Sequence, residues 1–148
     1  MKVFLDTNIF MEYVSRRKQY EVVRDIFDAI EDKRISAVVS VGGLYTTAYL
    51  LTRMLKDMNI HRPEQTERLR MGLNGLMRLA TVTDCNHEHM AEAVNDERFI
   101  DIEDSFQYHC AMHSQCDVLI TINLKDYKNV ITAEMPVLTP AEFVARFL

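Results

Sequence analysis

The sequence predicts an α/β fold built on a parallel sheet with helices on both faces. Two observations lead there. Short runs of three to five apolar residues alternate with segments of helical periodicity, the pattern of repeated βα units. Most of those short runs are apolar, as strands buried on both faces are. No linker, internal repeat or low-complexity segment interrupts residues 1–148, so the sequence reads as one domain over that span.

The elements follow in order. Val3-Phe4-Leu5 is the first strand, and Val22, Val23, Ile26, Phe27 and Ile30 mark a helix. Ile35 to Val39 is a β-branched run that stops at Ser40, and Gly42-Gly43 reads as a break before a helix through Leu44, Ala48, Leu51 and Leu55. Pro63 suits the first turn of a helix carrying Leu69, Leu73, Leu76 and Leu79. Thr81-Val82-Thr83 is a strand, His87 to Val94 a short helix, and Ile102 to Met112 a helix opened by acids. Val118-Leu119-Ile120 and Pro136-Val137-Leu138 are the remaining strands. Thr139-Pro140-Ala141-Glu142 then supplies a cap, a proline at the first helical position and a glutamate three after the cap, which starts a last helix.

Composition narrows the function. With 148 residues, 48% hydrophobic and 26% charged, the chain is long enough for one core and too apolar for disorder. No run of 18 apolar residues occurs, so no membrane span is expected. The opening MKVFLDTN is too short and too soon charged for a signal peptide. Three cysteines, Cys85, Cys110 and Cys116, form no pairing pattern, and a reduced, cytoplasmic setting is expected. Net charge is −5, so nucleic acid could be held only through a local basic patch or a bridging metal. One such patch is Arg53 to Arg78, with six Lys/Arg against three acids. It reads equally as solvated helix faces. No phosphate-cradling glycine motif is present, which leaves a nucleotide cofactor without support.

Three segments carry chemistry. Phe4 to Asn8 reads FLDTN, an apolar strand ending at Asp6. A turn would account for the stretch by itself. In a parallel α/β sheet, however, ligands bind beyond the carboxyl ends of the strands, where Asp6 falls. The second segment is Asp101-Ile102-Glu103-Asp104. With Asp101 as cap, Asp104 stands at the third helical position, although acids in a first turn also serve the helix alone. The third is Thr121-Ile122-Asn123-Leu124-Lys125-Asp126-Tyr127, where a strand again ends in a hydroxyl, an amide and an acid. Carboxylates gathered at one end of a sheet repel, and a cation relieves them. Oxygen donors without His or Cys select a hard ion, Mg²⁺ or Mn²⁺. Phosphodiester cleavage, with nucleic acid as substrate, is the natural chemistry of such a site.

Other signals are weaker. His109 and His113 have zinc spacing, but Cys110 stands where a zinc protease would have glutamate and no third ligand is evident, so both read as surface or core residues. His87 and His89 read as solvent-facing, Cys110 as a structural thiol, and methionines such as Met54, Met58, Met71 and Met77 as core or interface filler. A phosphatase usually opens on D-x-D, and here the third position is Asn8.

LDTN at 5–8, DIEDSFQ at 101–107 and VLITINLKDY at 118–127 together resemble the signatures of the PIN-domain family, most closely its VapC-like bacterial branch. The resemblance extends over nearly the whole chain. It implies a three-layer α/β/α sandwich with a parallel sheet of about five strands, and a metal-dependent endoribonuclease using Mg²⁺ or Mn²⁺. It further implies an RNA substrate, a homodimer, and the role of toxin beside a cognate antitoxin protein. By position, Asp6, Asp104 and Asp126 correspond to the family's catalytic, metal-holding acids. Asn8, Thr121 and Asn123 would support them, and Asp101 and Glu103 would be alternate or outer ligands. A family glutamate in the helix after the second strand is absent: the count from Ser40 lands on Thr46, and no acid occurs from Gly42 to Met54. Thr46 or Thr47 could hold a water there, or Glu12 could substitute. The departure keeps open an alternative, a catalytically weak or inactive PIN-like module that binds RNA or a protein partner. Under the ribonuclease reading, Arg16, Arg17, Lys18, Arg53 and Lys56 are candidates for holding RNA phosphates.

Overall fold

The computed structural model describes residues 1–132 and 135–148. Five strands, β1 (Lys2–Leu5), β2 (Ser36–Ser40), β3 (Ala80–Thr83), β4 (Val118–Ile120) and β5 (Val137–Leu138), form one parallel sheet in the order β3-β2-β1-β4-β5. The helices are α1 (Thr7–Val14), α2 (Tyr20–Glu31), α3 (Val41–Asp57), α4 (Glu64–Leu79), α5 (His87–Val94), α6 (Ile102–His113) and α7 (Pro140–Phe147), with a short 3₁₀ turn at Leu124–Tyr127. This is a three-layer α/β/α sandwich.

The strands divide the core between two faces, because successive side chains point to opposite sides. Val3, Leu5, Ala37, Val39, Val118 and Ile120 meet Ile9 and Phe10 of α1, Ile26 and Phe27 of α2, Leu51, Leu76 and Phe143. Phe4, Val38, Leu119 and Val137 face the other way, against Tyr108 and Ala111 of α6 and Tyr127 beyond β4. β1, β2, β4 and β5 therefore carry apolar residues on both faces, whereas the edge strand β3, Ala80-Thr81-Val82-Thr83, alternates with threonine. No helix among the described residues is long and apolar enough to cross a membrane.

Two local expectations shift. Gly42-Gly43 does not break the chain: α3 starts at Val41, and the Ser40 hydroxyl caps it by accepting the Gly43 N–H at 2.8 Å. Glycine stands at 43 because the first turn of α3 crosses close to α1. A Cβ there would sit 3.1 Å from both Ser40 Oγ and Thr7 Oγ1, tighter than normal contact. Pro63 occupies the cap position of α4, one residue before its first helical residue. The Thr139–Glu142 capping box forms as expected, with Glu142 Oε2 accepting the Thr139 N–H at 2.8 Å. Met54 packs against the core, whereas Met58, Met71 and Met77 are exposed.

Candidate functional site

The chain runs outward through β1, β2 and β3, then returns to place β4 on the other flank of β1. The crevice at that reversal opens at the carboxyl ends of β1 and β4, the usual binding place of an open α/β sheet. Asp6 lies there as the residue that ends β1 and precedes α1. Its N–H donates to the Ile120 carbonyl at 3.0 Å, and its Oδ2 accepts the Thr121 hydroxyl at 2.7 Å. The Asn123 N–H donates to Thr121 Oγ1 at 3.0 Å, so the end of β4 is folded onto the Asp6 carboxylate. Asp6 is buried, and burial is the largest cause raising its pKa. The Thr121 hydroxyl and the Thr7 amide act against that rise, while Glu103 and Asp126 add to it.

Helix α6 brings the second carboxylate. Asp101 caps it by accepting the Glu103 N–H at 2.8 Å, which leaves Asp104 at the third helical position, turned inward. The Tyr127 hydroxyl donates to Asp104 Oδ1 at 3.3 Å. Burial first, then the charges of Asp6, Asp101 and Asp126, push Asp104 up to about 6, with the Tyr127 bond opposing. Tyr127 is itself fully buried, and burial with the neighbouring carboxylates drives its pKa far above the ordinary phenol value, so it stays a donor.

A pocket of about 190 Å³ gathers Asp6, Thr7, Asn8, Thr46, Leu50, Asp101, Glu103, Asp104, Asn123 and Asp126. All nine acidic and supporting polar positions singled out in the sequence line it except Thr121, which lies beneath Asp6 as its hydroxyl donor. Thr46 donates to Glu103 Oε1 at 3.1 Å, so the carboxylate beside position 46 comes from α6. Thr47 is buried behind it. Glu12 does not reach this pocket: its Oε2 accepts the Gln19 N–H at 3.0 Å and its Oε1 lies 3.9 Å from Arg17, which removes it as a substitute acid. Arg16, Arg17 and Arg53 line a neighbouring groove that shares Leu50 with the acid pocket; Lys18 and Lys56 lie outside it.

The donor set fits a hard cation. Among the described residues, none of Asp6, Asp101, Glu103, Asp104 and Asp126 pairs with a lysine or arginine. Their charge is therefore left for an ion or for protons to offset. The acids are spread: no three bring ligand oxygens within 4.8 Å of one another.

The raised pKa of Asp104 has a measurable sign. Its proton is held in the folded state up to about 6 against 3.8 in the unfolded chain. The stability this proton lends is complete below 3.8 and lost as pH rises through about 6. Asp104→Asn, measured by chemical denaturation in metal-free buffer, is therefore expected to gain on wild type across that window and hold its gain above it. The side chain is partly exposed, so solvent screening limits the gain to about 1 kcal/mol. A loss of about 2 kcal/mol or more above that window would mark Asp104 as a structural group.

The residues that sequence reasoning left out are the ones that hold the site together. Buried Gln107 donates from Nε2 to Thr7 Oγ1 at 3.1 Å and accepts the Ser40 hydroxyl at 2.8 Å. It ties the ends of β1 and β2 to α6. A glutamine one turn past Asp104 on the same side of the helix was the signal available for it.

A parallel α/β/α sandwich with carboxylates converging at its crossover crevice defines the class of protein. Within that class the chain belongs to the PIN domain family, whose model matches residues 2–125. A chain of VapBC2 from Rickettsia felis, solved bound to a DNA fragment from its promoter, superposes with a TM-score of 0.66 at 15% identity, covering 94% of this chain and 98% of that one. VapBC-1 from nontypeable Haemophilus influenzae gives 0.60 at 18% identity, with 95% and 99% covered. VapC20 from Mycobacterium tuberculosis, a sarcin-ricin loop cleaving toxin, gives 0.57 at 14% identity over 79% and 86%. At these identities the likeness is one of fold. A comparison with curated protein sequences gave no match.

Proposed function

We propose that this PIN domain is a metal-dependent endoribonuclease, acting as one domain over residues 1–148. Asp6, Asp104 and Asp126 hold Mg²⁺ or Mn²⁺, directly or through water. The observation that carries the reading is the convergence of these acids, with Glu103, on one pocket that no basic side chain neutralises. Such an ion, when bound, supplies Lewis-acid polarisation of a phosphodiester and activation of a water. The chain's own groups set the stage for it. Thr121 fixes which way the Asp6 carboxylate faces, and Tyr127 keeps its proton and orients Asp104. Arg16, Arg17 and Arg53, in the groove beside the acids, suit the phosphates of an RNA strand that enters the pocket. An antitoxin-like protein is the natural partner, since two of the fold neighbours are VapBC assemblies. Exposed Tyr45 and Tyr49, one turn apart on α3, give such a partner apolar anchors, and a homodimer is the expected state of the free chain.

Glu103 answers the missing helix glutamate. Its carboxylate is held by Thr46, and among the charges raising the pKa of Asp6 it stands ahead of Asp126. Incubation with single-stranded RNA and Mn²⁺ is expected to give cleavage that a chelator abolishes. Glu103→Gln is expected to lower the rate about tenfold, the usual scale for an outer ligand or support. Thr46 favours the second reading, a non-catalytic module for RNA or protein. RNA binding without cleavage under any divalent ion would establish that one.

A further inference from the structure

Away from the acid pocket, α5 and α6 face each other with a second set of potential ligands. His89 and Glu92 stand three apart on α5, and His109 and His113 four apart on α6, so each pair shares one side of its helix. Ligand atoms of Glu92, His109 and His113 all lie within 4.8 Å of one another. Glu92 Oε2 is 3.0 Å from His113 Nε2 and 3.9 Å from His109 Nδ1. The other nitrogen of His109, Nε2, is 2.9 Å from Asp96 Oδ2. The Asp96 side chain is 8% exposed and is held by Arg98, whose Nε and terminal nitrogen donate to its two oxygens at 2.8 and 2.6 Å.

This is more than a surface ion pair. With Asp96 accepting the Nε2–H, His109 turns its Nδ1 toward Glu92, and the ring cannot swing away without breaking that part-buried bond. A carboxylate behind the imidazole, itself anchored by an arginine, is how proteins orient a histidine ligand for a metal. The His89 ring lies parallel to His113 with centroids 3.4 Å apart, which brings a third imidazole to the edge of the cluster. Sequence spacing offered only His109 and His113; the third donor comes from the neighbouring helix.

We propose that Glu92, His109 and His113 form a Zn²⁺ site that clamps α5 to α6, with water or His89 in the fourth position. Two imidazoles and one carboxylate suit tetrahedral zinc, whereas Mg²⁺ and Mn²⁺ prefer the all-oxygen pocket. The site is separate from the acids: His109 and His113 follow Asp104 by five and nine residues, about 7 and 13 Å along α6. Its function is to stiffen the short helix α5 on the helix that carries Asp104.

The test is zinc titration of the full chain in an Asp104→Asn background, followed by calorimetry and thermal unfolding, with Co²⁺ absorption as a spectroscopic report. One Zn²⁺ is expected to bind and raise the Tm where Mg²⁺ does not, with Co²⁺ bands of tetrahedral type lacking thiolate charge transfer. Glu92→Gln and His113→Gln, both exposed and removable without disturbing the core, are expected to weaken binding at least tenfold. Absence of a zinc-induced shift overturns the proposal, as does a shift unchanged in both variants. So does zinc binding that Cys85→Ser abolishes, which would assign the ion to the Cys85–Cys110 pair, whose sulfurs are 2.8 Å apart. None of these readouts depends on RNA cleavage.

Discussion

Asp6→Asn is expected to lower Mn²⁺-dependent RNA cleavage by about 10²-fold or more while leaving the fold in place. The amide is nearly the same size as the carboxylate and can still accept the Thr121 hydroxyl, so the end of β4 stays docked on the end of β1. What it removes is the negative charge at the bottom of the pocket, the charge most deeply buried and least able to be replaced by solvent. In metal-free buffer above the titration of Asp6, the variant is expected to unfold at a higher temperature than wild type. A carboxyl whose pKa is raised by burial works against folding once ionised. RNA affinity, measured by anisotropy in Ca²⁺, is expected to change little, because Arg16, Arg17 and Arg53 lie in the neighbouring groove. Cleavage within about threefold of wild type would move the chemistry away from Asp6.

Much of this site is visible in the sequence because its chemistry depends on residue type and place along the chain. A strand that ends at Asp6, a helix capped by Asp101 with Asp104 at its third position, and a hydroxyl at the end of β4 can each be read locally. The topology then brings them together, since β4 returns beside β1. What cannot be read locally is how they are held. Ser40, Thr7 and Gln107 meet across separations of 67 and 100 residues, and no periodicity announces that meeting. The same blindness makes Gly42-Gly43 look like a break. The reason for glycine at 43 is the approach of Thr7 from another helix. Position 46 shows both sides of the matter: counting from Ser40 finds the missing acid, but only the packing of α6 beside α3 shows that Glu103 occupies its neighbourhood.

The Gln107 junction also predicts the second large effect. Gln107→Leu is expected to destabilise the protein by about 2–4 kcal/mol and to slow RNA cleavage about tenfold. The leucine fills similar volume, but it leaves the Ser40 hydroxyl proton and the Thr7 oxygen facing it in a dry interior. At present no buried side-chain polar atom among the described residues lacks a partner, so the variant would introduce a defect of a kind the fold does not tolerate elsewhere. Activity falls for a related reason: Gln107 sets the distance of α6 from β1 one turn behind Asp104, and a small shift there moves the Asp104 carboxylate relative to Asp6. The partner variant separates the two contributions. Ser40→Ala alone loses the cap on Gly43 as well as the bond to Gln107, about 1 kcal/mol for the cap. Combined with Gln107→Leu, it removes both members of one buried bond, so the double variant is expected to lose less than the two single losses together, by about 1 kcal/mol or more. Urea unfolding of the four proteins supplies the cycle. Additive losses, or a Gln107→Leu protein as stable as wild type, would mean that the ends of β1 and β2 are held to α6 by apolar packing alone.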